Sequence, residues 1–505
     1  MKALLVLAGL SLAAVVVADG QSTFGDPVAN PAAVLETADG LCRFTVLTSA
    51  MVRVECGPGG VGFEDRQTMV VWNRNLPVPS FQTLNGTGGA VKIATPDVTL
   101  AYAGGGIGGV TVTSHRPNIN NQTTVWRHGA STAGNLFGTA HTLDNLEGWQ
   151  SLNCTTHHPW IIHDEPEHCT WGLISKTGVA WFDDAESPVF ENGWVASQLR
   201  GSCAAAGDTP CFGAVKNNPN TSDACTHAGC CWTPASQCAR RGGVTDTYVL
   251  AHGAEFKEAF ADFARVAGPI PIPRRHFLGV SWSFWGSVDQ NGTMGQVNGL
   301  VGNDFSLDSY TFDMQWHLKP DWTGYTWDTN LFPDHVALLD WMHALGLYTG
   351  FNLHDASGVR GFEKRYAAMA VANGIDPASN ATVEFHIDNQ TFADSLSEVV
   401  LGPLVEEGID FHWIDWQQGM LGIQDVAGSN PTMLLAHYRF TNYSNSDRRG
   451  LVHCRYGGLG SHRYPTGFGG DVVQTWDSLA YMLYFTSTAS NVLYGYWGQE
   501  LSALG

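Results

Sequence analysis

The chain has 505 residues, of which 44% are hydrophobic and only 14% charged. This is too long for one ordinary domain and too apolar for a disordered chain, so two or three packed domains are expected. A formal net charge of −21, with no basic tract, repels phosphate backbones and excludes nucleic acid as an expected partner.

At the N-terminus, Lys2 precedes an apolar run from Ala3 to Ala18, and small residues follow. The pattern reads as a secretory signal peptide, residues 1–18, rather than a membrane anchor, because the run is short and lacks a stop-transfer flank. No later stretch is apolar for long enough to span a bilayer. Eight N-x-S/T sequons follow, at Asn85, Asn121, Asn153, Asn220, Asn291, Asn380, Asn389 and Asn442. The reading is a glycosylated protein that is secreted or held in a lysosome or vacuole lumen, where most of the 11 cysteines pair. Cys42 with Cys56 and Cys154 with Cys169 are candidate bridges, which leaves Cys454 over.

From about residue 40 to 250, β-branched runs alternate with Gly, Pro and Asn: "VRVECG", "VVWN", "VKIAT", "VTLAY" and "VTVTS". These predict short strands of an antiparallel sandwich. The G-x-G-x-x-G at Gly104, Gly106 and Gly109 precedes a strand, not a helix, so it reads as a hairpin turn and not a dinucleotide site.

Cys203, Cys211, Cys225, Cys230, Cys231 and Cys238 crowd into one short segment, which predicts a stapled mini-domain at 203–238. Zinc is the alternative, but an oxidising compartment and adjacent cysteines favour disulfides. The segment resembles the P-type trefoil domain, although the arginine usual before the second cysteine is absent. The resemblance implies the pairs Cys203–Cys231, Cys211–Cys230 and Cys225–Cys238, and a glycan or mucin contact. The sandwich would then occupy 19–202 and 239–268.

Phe256, Phe260 and Phe263 recur at helical spacing until Gly268 and Pro269 stop them, and "PIPIPRR" marks the domain boundary. Beyond it, strand-like runs alternate with helices: "FLGVSW", "SYTFDMQW", "LYTGFNL", "DFHWID", "GLVHC" and "NVLYGYW". One intervening helix has Asp334 as N-cap, Leu338, Leu339 and Met342 as its apolar face, and Gly346 as its stop. Alternation of this kind implies a parallel sheet, and the length suggests a (β/α)8 barrel over 269–505. The fold class is therefore a β-sandwich with a disulfide-rich insert, followed by an α/β TIM barrel.

Barrel enzymes place their chemistry at the C-terminal ends of the strands. Asp415 ends the apolar run "DFHWID" between Trp413 and Trp416, and Asp471 follows a Gly-rich segment. Two carboxylates on one barrel face are what glycoside cleavage needs, although among 47 acidic residues any pair could be structural.

The ordered motifs resemble glycoside hydrolase family 31, a family of retaining α-glucosidases and α-xylosidases. "NLFGTAHTLD" and "GLISKTGVAWFDDAESPVF" resemble its sandwich. "HFLGVSWSFWG" and "GYTWDTNLFPD" resemble its first barrel segments. "WIDWQQG" is similar to the nucleophile block, which implies Asp415. "RYGGLGSHRYPTGFGGD" is similar to the acid/base block, which implies Asp471. In the same blocks, Arg455 and Arg463 match two arginines and are substrate-binding candidates, the first a contact to substrate hydroxyls, and Trp413 matches an aromatic lining the sugar subsite. Asp313 ends the second strand, where the family uses acids to grip sugar hydroxyls. Gln315 replaces the second acid of the usual pair there, and His317 is a sugar-binding or supporting candidate. His354 and Asp355 end the third strand and either line the cleft or buttress it. Asp144 reads as a turn residue that could instead reach the cleft on a loop. No cofactor and no metal is expected, since no H-E-x-x-H or tight ligand cluster occurs.

The sequence departs from the family near its end. It reads "LYGYWGQELSALG", with Glu500 at a family aspartate, so the barrel is expected to lack its last unit, as in a truncated or mis-joined gene product, truncation first, or in a chain that needs a partner. The preferred reading is a secreted retaining α-glycosidase, an α-glucosidase first. Gln417 and Gln418 keep xylose, galactose or an N-acetylhexosamine open, and transglycosylation too. The alternative is a catalytically impaired carbohydrate-binding protein.

Overall fold

The computed structural model describes residues 25–57, 63–131, 133–139, 143, 148–149, 169–185, 187–196, 231–233, 237–239, 244–318, 322–415, 431–444, 449–455, 458–464 and 466–499. The expected signal peptide, the side chains of all three trefoil cysteine pairs, the Cys154–Cys169 pair, Asp144, Gln417, Gln418 and Glu500 lie outside these residues. Of the trefoil segment, only a backbone hairpin pairing Cys231–Thr233 with Gln237–Ala239 is described.

The N-terminal half is built on two antiparallel five-stranded sheets. One runs in the order Val34–Glu36, Cys42–Val46, Met51–Cys56, Thr245–Leu250, Ala180–Asp183; the other is a meander from Gln82–Asn85 to Val125–Arg127. Val98–Tyr102 and Val110–Ser114 alternate buried and half-buried residues, as a one-sided sheet requires. Their inward residues Val98, Leu100, Tyr102, Val110 and Val112 pack against Phe44, Val46, Val52 and Val54 of the first sheet. The glycine-rich stretch read as a turn does connect these two strands.

Met51–Cys56 is buried on both faces, because Val52 and Val54 pack on the second sheet while Arg53 and Glu55 are covered by their ion pairs with Asp246 and Arg43. Cys42 and Cys56 face each other across the ladder and form a disulfide, as expected. Cys454 is a buried thiol outside it. The helix itself ends where expected, at Gly268, whose φ of 97° favours glycine. One expectation fails. Val70–Asn73 is not a strand, because the Trp72 and Asn73 N–H groups donate to Val266 O at 2.8 and 3.0 Å, in the last turn of that helix. That carbonyl has no intrahelical partner, so it captures the passing chain.

The barrel contributes β1 (Ser281–Phe284), β2 (Ser309–Phe312), β3 (Tyr348–Leu353), β4 (Phe411–Ile414) and β5 (Val452–Cys454), adjacent in chain order and all parallel. β6 (Gly467–Phe468) pairs in parallel with β7 (Trp497–Gly498). Helices alternate with them: α1 (Gln290–Gly302), α2 (His335–Ala344), α3 (Tyr366–Ala372), α4 (Gln390–Ser395), α5 (Gly402–Glu406), α6 (Pro431–Ser444) and α7 (Trp476–Ser490). Asp334 caps α2 by accepting from Ala337 N at 3.1 Å, and Leu338, Leu339 and Met342 are buried, as the pattern predicts. No described helix is long and apolar enough to cross a membrane.

The two halves meet along a polar and aromatic seam. Arg463, expected at the sugar, lies here instead. Its guanidinium donates to the carbonyls of Met69, Val70 (3.1 Å) and Ala267 (2.6 Å), and covers the Trp72 ring at 4.0 Å. The cause is the turn at Gly460, where φ is 96° and an added Cβ would meet Met69 O at 2.7 Å. Close approach to the sandwich draws the following arginine into it.

Candidate active site

Strand register explains which side chains converge. Leu353, Ile414 and Cys454 are laddered neighbours in β3, β4 and β5, so His354, Asp415 and Arg455 emerge side by side just past them. On β2, Phe312 pairs with Phe351, which sets Asp313 beside Asn352. Asn352 shares its strand face with His354, two residues on.

Asp415 is 4% exposed and fully engaged by donors. Arg455 Nε donates to its Oδ1 at 2.7 Å, and Asn352 Nδ2 donates to its Oδ2 at 2.8 Å. His354 Nε2 lies 3.4 Å from the same Oδ2. Burial alone would raise its pKa. The Arg455 charge, followed by His354 and Asn352, overcomes this and holds the carboxyl well below the ordinary carboxylate range. It is therefore an anion throughout the working pH range.

Arg455 carries the second carboxylate as well. Its Nη2 donates to Asp471 Oδ1 at 3.0 Å. One guanidinium thus spans Asp415 and Asp471, which brings them to the scale of the about 5–5.5 Å spacing of retaining glycosidases. The Arg455 charge also lies over the Phe468 ring at 4.9 Å, which fixes its plane. The two acids differ in surroundings: the Asp415 side chain is 6% exposed and that of Asp471 is 29% exposed.

Asp313 accepts from Met314 N at 2.7 Å and from Asn352 Nδ2 at 2.8 Å. Burial, and then the Asp415 charge, push its carboxyl up to about 6. His354 lines the site, and Trp322 meets its ring edge-on at 4.4 Å. Asp355 buttresses: it accepts from Arg439 Nη2 and from Tyr325 OH, both at 2.7 Å, tying the end of β3 to α6. His317 Nδ1 faces the carbonyl of Leu318 at 3.1 Å, and its ring occupies the space a side chain at Gly324 would fill. Trp413 is 7% exposed and lies edge-on to His453 and Phe468, below the carboxylates.

Sequence reading missed Asn352, Trp322, His453 and Phe468. The one signal for Asn352 was a polar residue inside the apolar run "GFNLHD", two before His354. Among the described residues, no group of three or more His, Cys, Asp or Glu is arranged to hold a metal ion.

A parallel β/α barrel, with two carboxylates clamped at its strand ends by one arginine and an antiparallel sandwich before it, defines the class as a sandwich-plus-TIM-barrel fold. Residues 270–503 match the family model described as the Glycosyl hydrolases family 31 TIM-barrel domain. Solved structures agree in fold. A dextranase of Flavobacterium johnsoniae superposes with a TM-score of 0.60 at 12% identity, over 92% of this chain and 59% of that one. An alpha-xylosidase from Xanthomonas citri gives a TM-score of 0.57 at 11% identity, over 94% of this chain and 69% of that one. A xylosidase from Aspergillus niger gives 0.57 at 12% identity, over 91% and 69%. The chain thus spans about three-fifths of the length of that dextranase. No curated protein matches the chain by sequence.

Proposed function

We propose that the chain is a retaining α-glycosidase, an α-glucosidase first, that removes terminal α-linked sugars from oligo- or polysaccharides by double displacement. The observation that carries this reading is the shared guanidinium of Arg455, which holds Asp415 and Asp471 on one face of the barrel. Asp415, always ionised, attacks the anomeric carbon as the glycosidic C–O bond breaks. Asp471, the more exposed of the two, gives its proton to the leaving oxygen. The product of this step is a β-glycosyl ester on Asp415. Asp471, now ionised, takes a proton from water as that water attacks the same carbon and frees Asp415, so the α configuration returns. A sugar hydroxyl in place of water gives transglycosylation.

Dextranase and xylosidase neighbours in fold support a pyranoside substrate, and we assign Asp313 and His354 to receive its hydroxyls. Secretion, or delivery to a lysosome or vacuole lumen, is part of the proposal. The Cys42–Cys56 disulfide supports it, and so does the exposure of the five sequon asparagines Asn85, Asn121, Asn291, Asn380 and Asn389.

The test is hydrolysis of a panel of p-nitrophenyl α-glycosides by the wild type, Asp415→Ala and Asp471→Ala, each with and without azide. Azide should give a β-glycosyl azide with the first variant and an α-glycosyl azide with the second. Sugar binding without turnover by the folded wild type would favour the non-catalytic alternative.

A further inference from the structure

Asn352 is the penultimate residue of β3, 3% exposed, where strand chemistry alone would place an apolar side chain. Its amide nitrogen donates to Asp415 Oδ2 and to Asp313 Oδ1, both at 2.8 Å. A carboxamide has two N–H donors, and both are used on carboxylates. The reversed amide would set its oxygen against two carboxylate oxygens, so the carboxylates themselves fix its orientation. Its Oδ1 is buried and has no hydrogen-bond partner among the described residues. That exposes the cost of the arrangement: a polar atom goes unsatisfied so that the nitrogen can face both acids.

The charged groups around this unit come from five strand ends. Tyr310 and Asp313 belong to β2, His354 to the end of β3, Asp415 to β4, His453 and Arg455 to β5, and Asp471 follows β6. Among these, Asn352 is the neutral donor that touches both buried carboxylates. The terminal torsion of an aspartate is broad and two-fold, so a carboxylate held at one oxygen still swivels. Arg455 on Oδ1 and Asn352 on Oδ2 grip opposite ends of Asp415 and fix its plane. Attack on a ring carbon needs that plane set before the substrate arrives.

We propose that Asn352 is a positioning residue for glycosyl-ester formation, an amide clamp that orients the Asp415 carboxylate and ties it to Asp313. This rests on the reading of Asp415 as nucleophile. In the step it serves, an Asp415 oxygen bonds to the anomeric carbon, the glycosidic C–O bond breaks, and the Asp471 proton goes to the leaving oxygen. The Asp415 charge is consumed, and the amide that had served two acids then serves Asp313 beside a neutral ester.

Asn352→Leu keeps the volume and removes both donors, and Asn352→Ser keeps one. On the best p-nitrophenyl α-glycoside, the leucine variant should lose about 10–100-fold in kcat with little change in KM, and serine should fall between it and the wild type. Losing a donor disfavours a carboxylate's charged form, so the acid limb of the pH–rate profile should move to higher pH in both variants. A merely structural asparagine would lower the melting temperature but leave kcat per folded molecule and the acid limb in place, and that result overturns the proposal. If the leucine variant does not fold, the acid limb of the serine variant decides. Asp415→Ala separates the two levels. Activity persisting there ends the nucleophile reading itself, whereas an inactive Asp415→Ala beside unaltered Asn352 variants ends only the clamp.

Discussion

Two of the buried arginine–carboxylate clusters among the described residues, one in each half, are built differently. In the sandwich, Arg53 reaches both oxygens of Asp246 at 2.7 Å each and the carbonyl of Glu64 at 2.8 Å, while Arg43 grips both oxygens of Glu55 at 2.7 and 3.0 Å. Each guanidinium grips one carboxylate fork-on-fork and also reaches a second, Arg53 to Glu55 at 3.0 Å and Arg43 to Asp65 at 2.8 Å, and Arg53 and Asp246 are both fully buried. In the barrel, Arg455 divides its fork, giving Nε to Asp415 and Nη2 to Asp471. Bidentate grips lock the sandwich carboxylates in place. Arg455 instead gives different N–H groups to two acids of unequal exposure and holds them side by side. Neither burial of charge nor the sharing of one cation is thus a sign of function by itself; what sets Arg455 apart is that both its acids lie just past barrel strand ends.

The sharpest way to break that contrast is to remove one acid from each cluster. Asp415→Ala should cost about 10⁴-fold or more in turnover and leave the melting temperature near that of the wild type, because Arg455 keeps Asp471. Asp246→Ala should do the reverse. It removes the bidentate partner of the buried Arg53 charge, leaving it Glu55 at 3.0 Å, and should destabilise by about 3 kcal/mol, read by denaturant titration, with kcat per folded molecule unchanged. A large loss of turnover from Asp246→Ala at full folding, or none from Asp415→Ala, would erase the distinction between the clusters.

Next in size is Arg455→Lys. An ammonium is a point charge without a fork, so it can face one acid well but not both. The expected loss is about 10²-fold in kcat, and the acid limb of the pH–rate profile should rise as Asp415 loses part of its stabilisation. Equal activity of lysine and arginine variants would mean that the divided fork does not matter.

How far all this was legible in the sequence follows the same line between local pattern and long-range contact. Alternation in Val98–Tyr102, the Asp334 cap and the Gly268 stop are local rules, and they produced the elements they predict. Asp415, Asp471 and Arg455 were legible because motif and strand end coincide. Arg463 was misplaced because its block fixes its neighbours in sequence but not the direction of the turn at Gly460, which sends it to the seam. Val70–Asn73 misled for a similar reason, since its backbone is claimed by a helix end almost two hundred residues later. Asn352 left only a polar letter in an apolar strand, and its meaning appears once β2 and β4 flank it.

The seam supplies a gentler contrast. Arg463 is bonded to three carbonyls and to no acid, so it is structural in a way the two clusters are not. Arg463→Ala should cost about 2–3 kcal/mol in stability and leave KM for the p-nitrophenyl glycoside unchanged. A rise in KM without loss of stability would return Arg463 to the sugar.

The smallest effect per residue, yet one that accumulates, comes from buried histidines of the barrel half. Burial, and next the nearby Arg463 charge, lower His437 and His462 to about 3; burial likewise lowers His453 to about 3. Burial with the Arg274 charge lowers His276 to about 4. Each is neutral in the folded chain and titrates near its ordinary value of about 6.5 once unfolded. Between those limits the unfolded chain binds more protons, so stability rises with pH. It is complete above about 6.5 and is lost as pH falls through that value toward 3–4, at roughly 1 kcal/mol per histidine per pH unit. Two of the four, His437 and His462, lie at the seam: His437 packs on Phe190 and Trp72, and His462 donates to Gly268 O at 2.8 Å. Melting temperatures measured from pH 7 to 4 should therefore fall steadily, and His437→Gln and His462→Gln should each flatten the slope even if they lower the plateau. A slope unchanged by both substitutions would place the acid sensitivity elsewhere, with the carboxylates of the sandwich cluster as the next groups to replace.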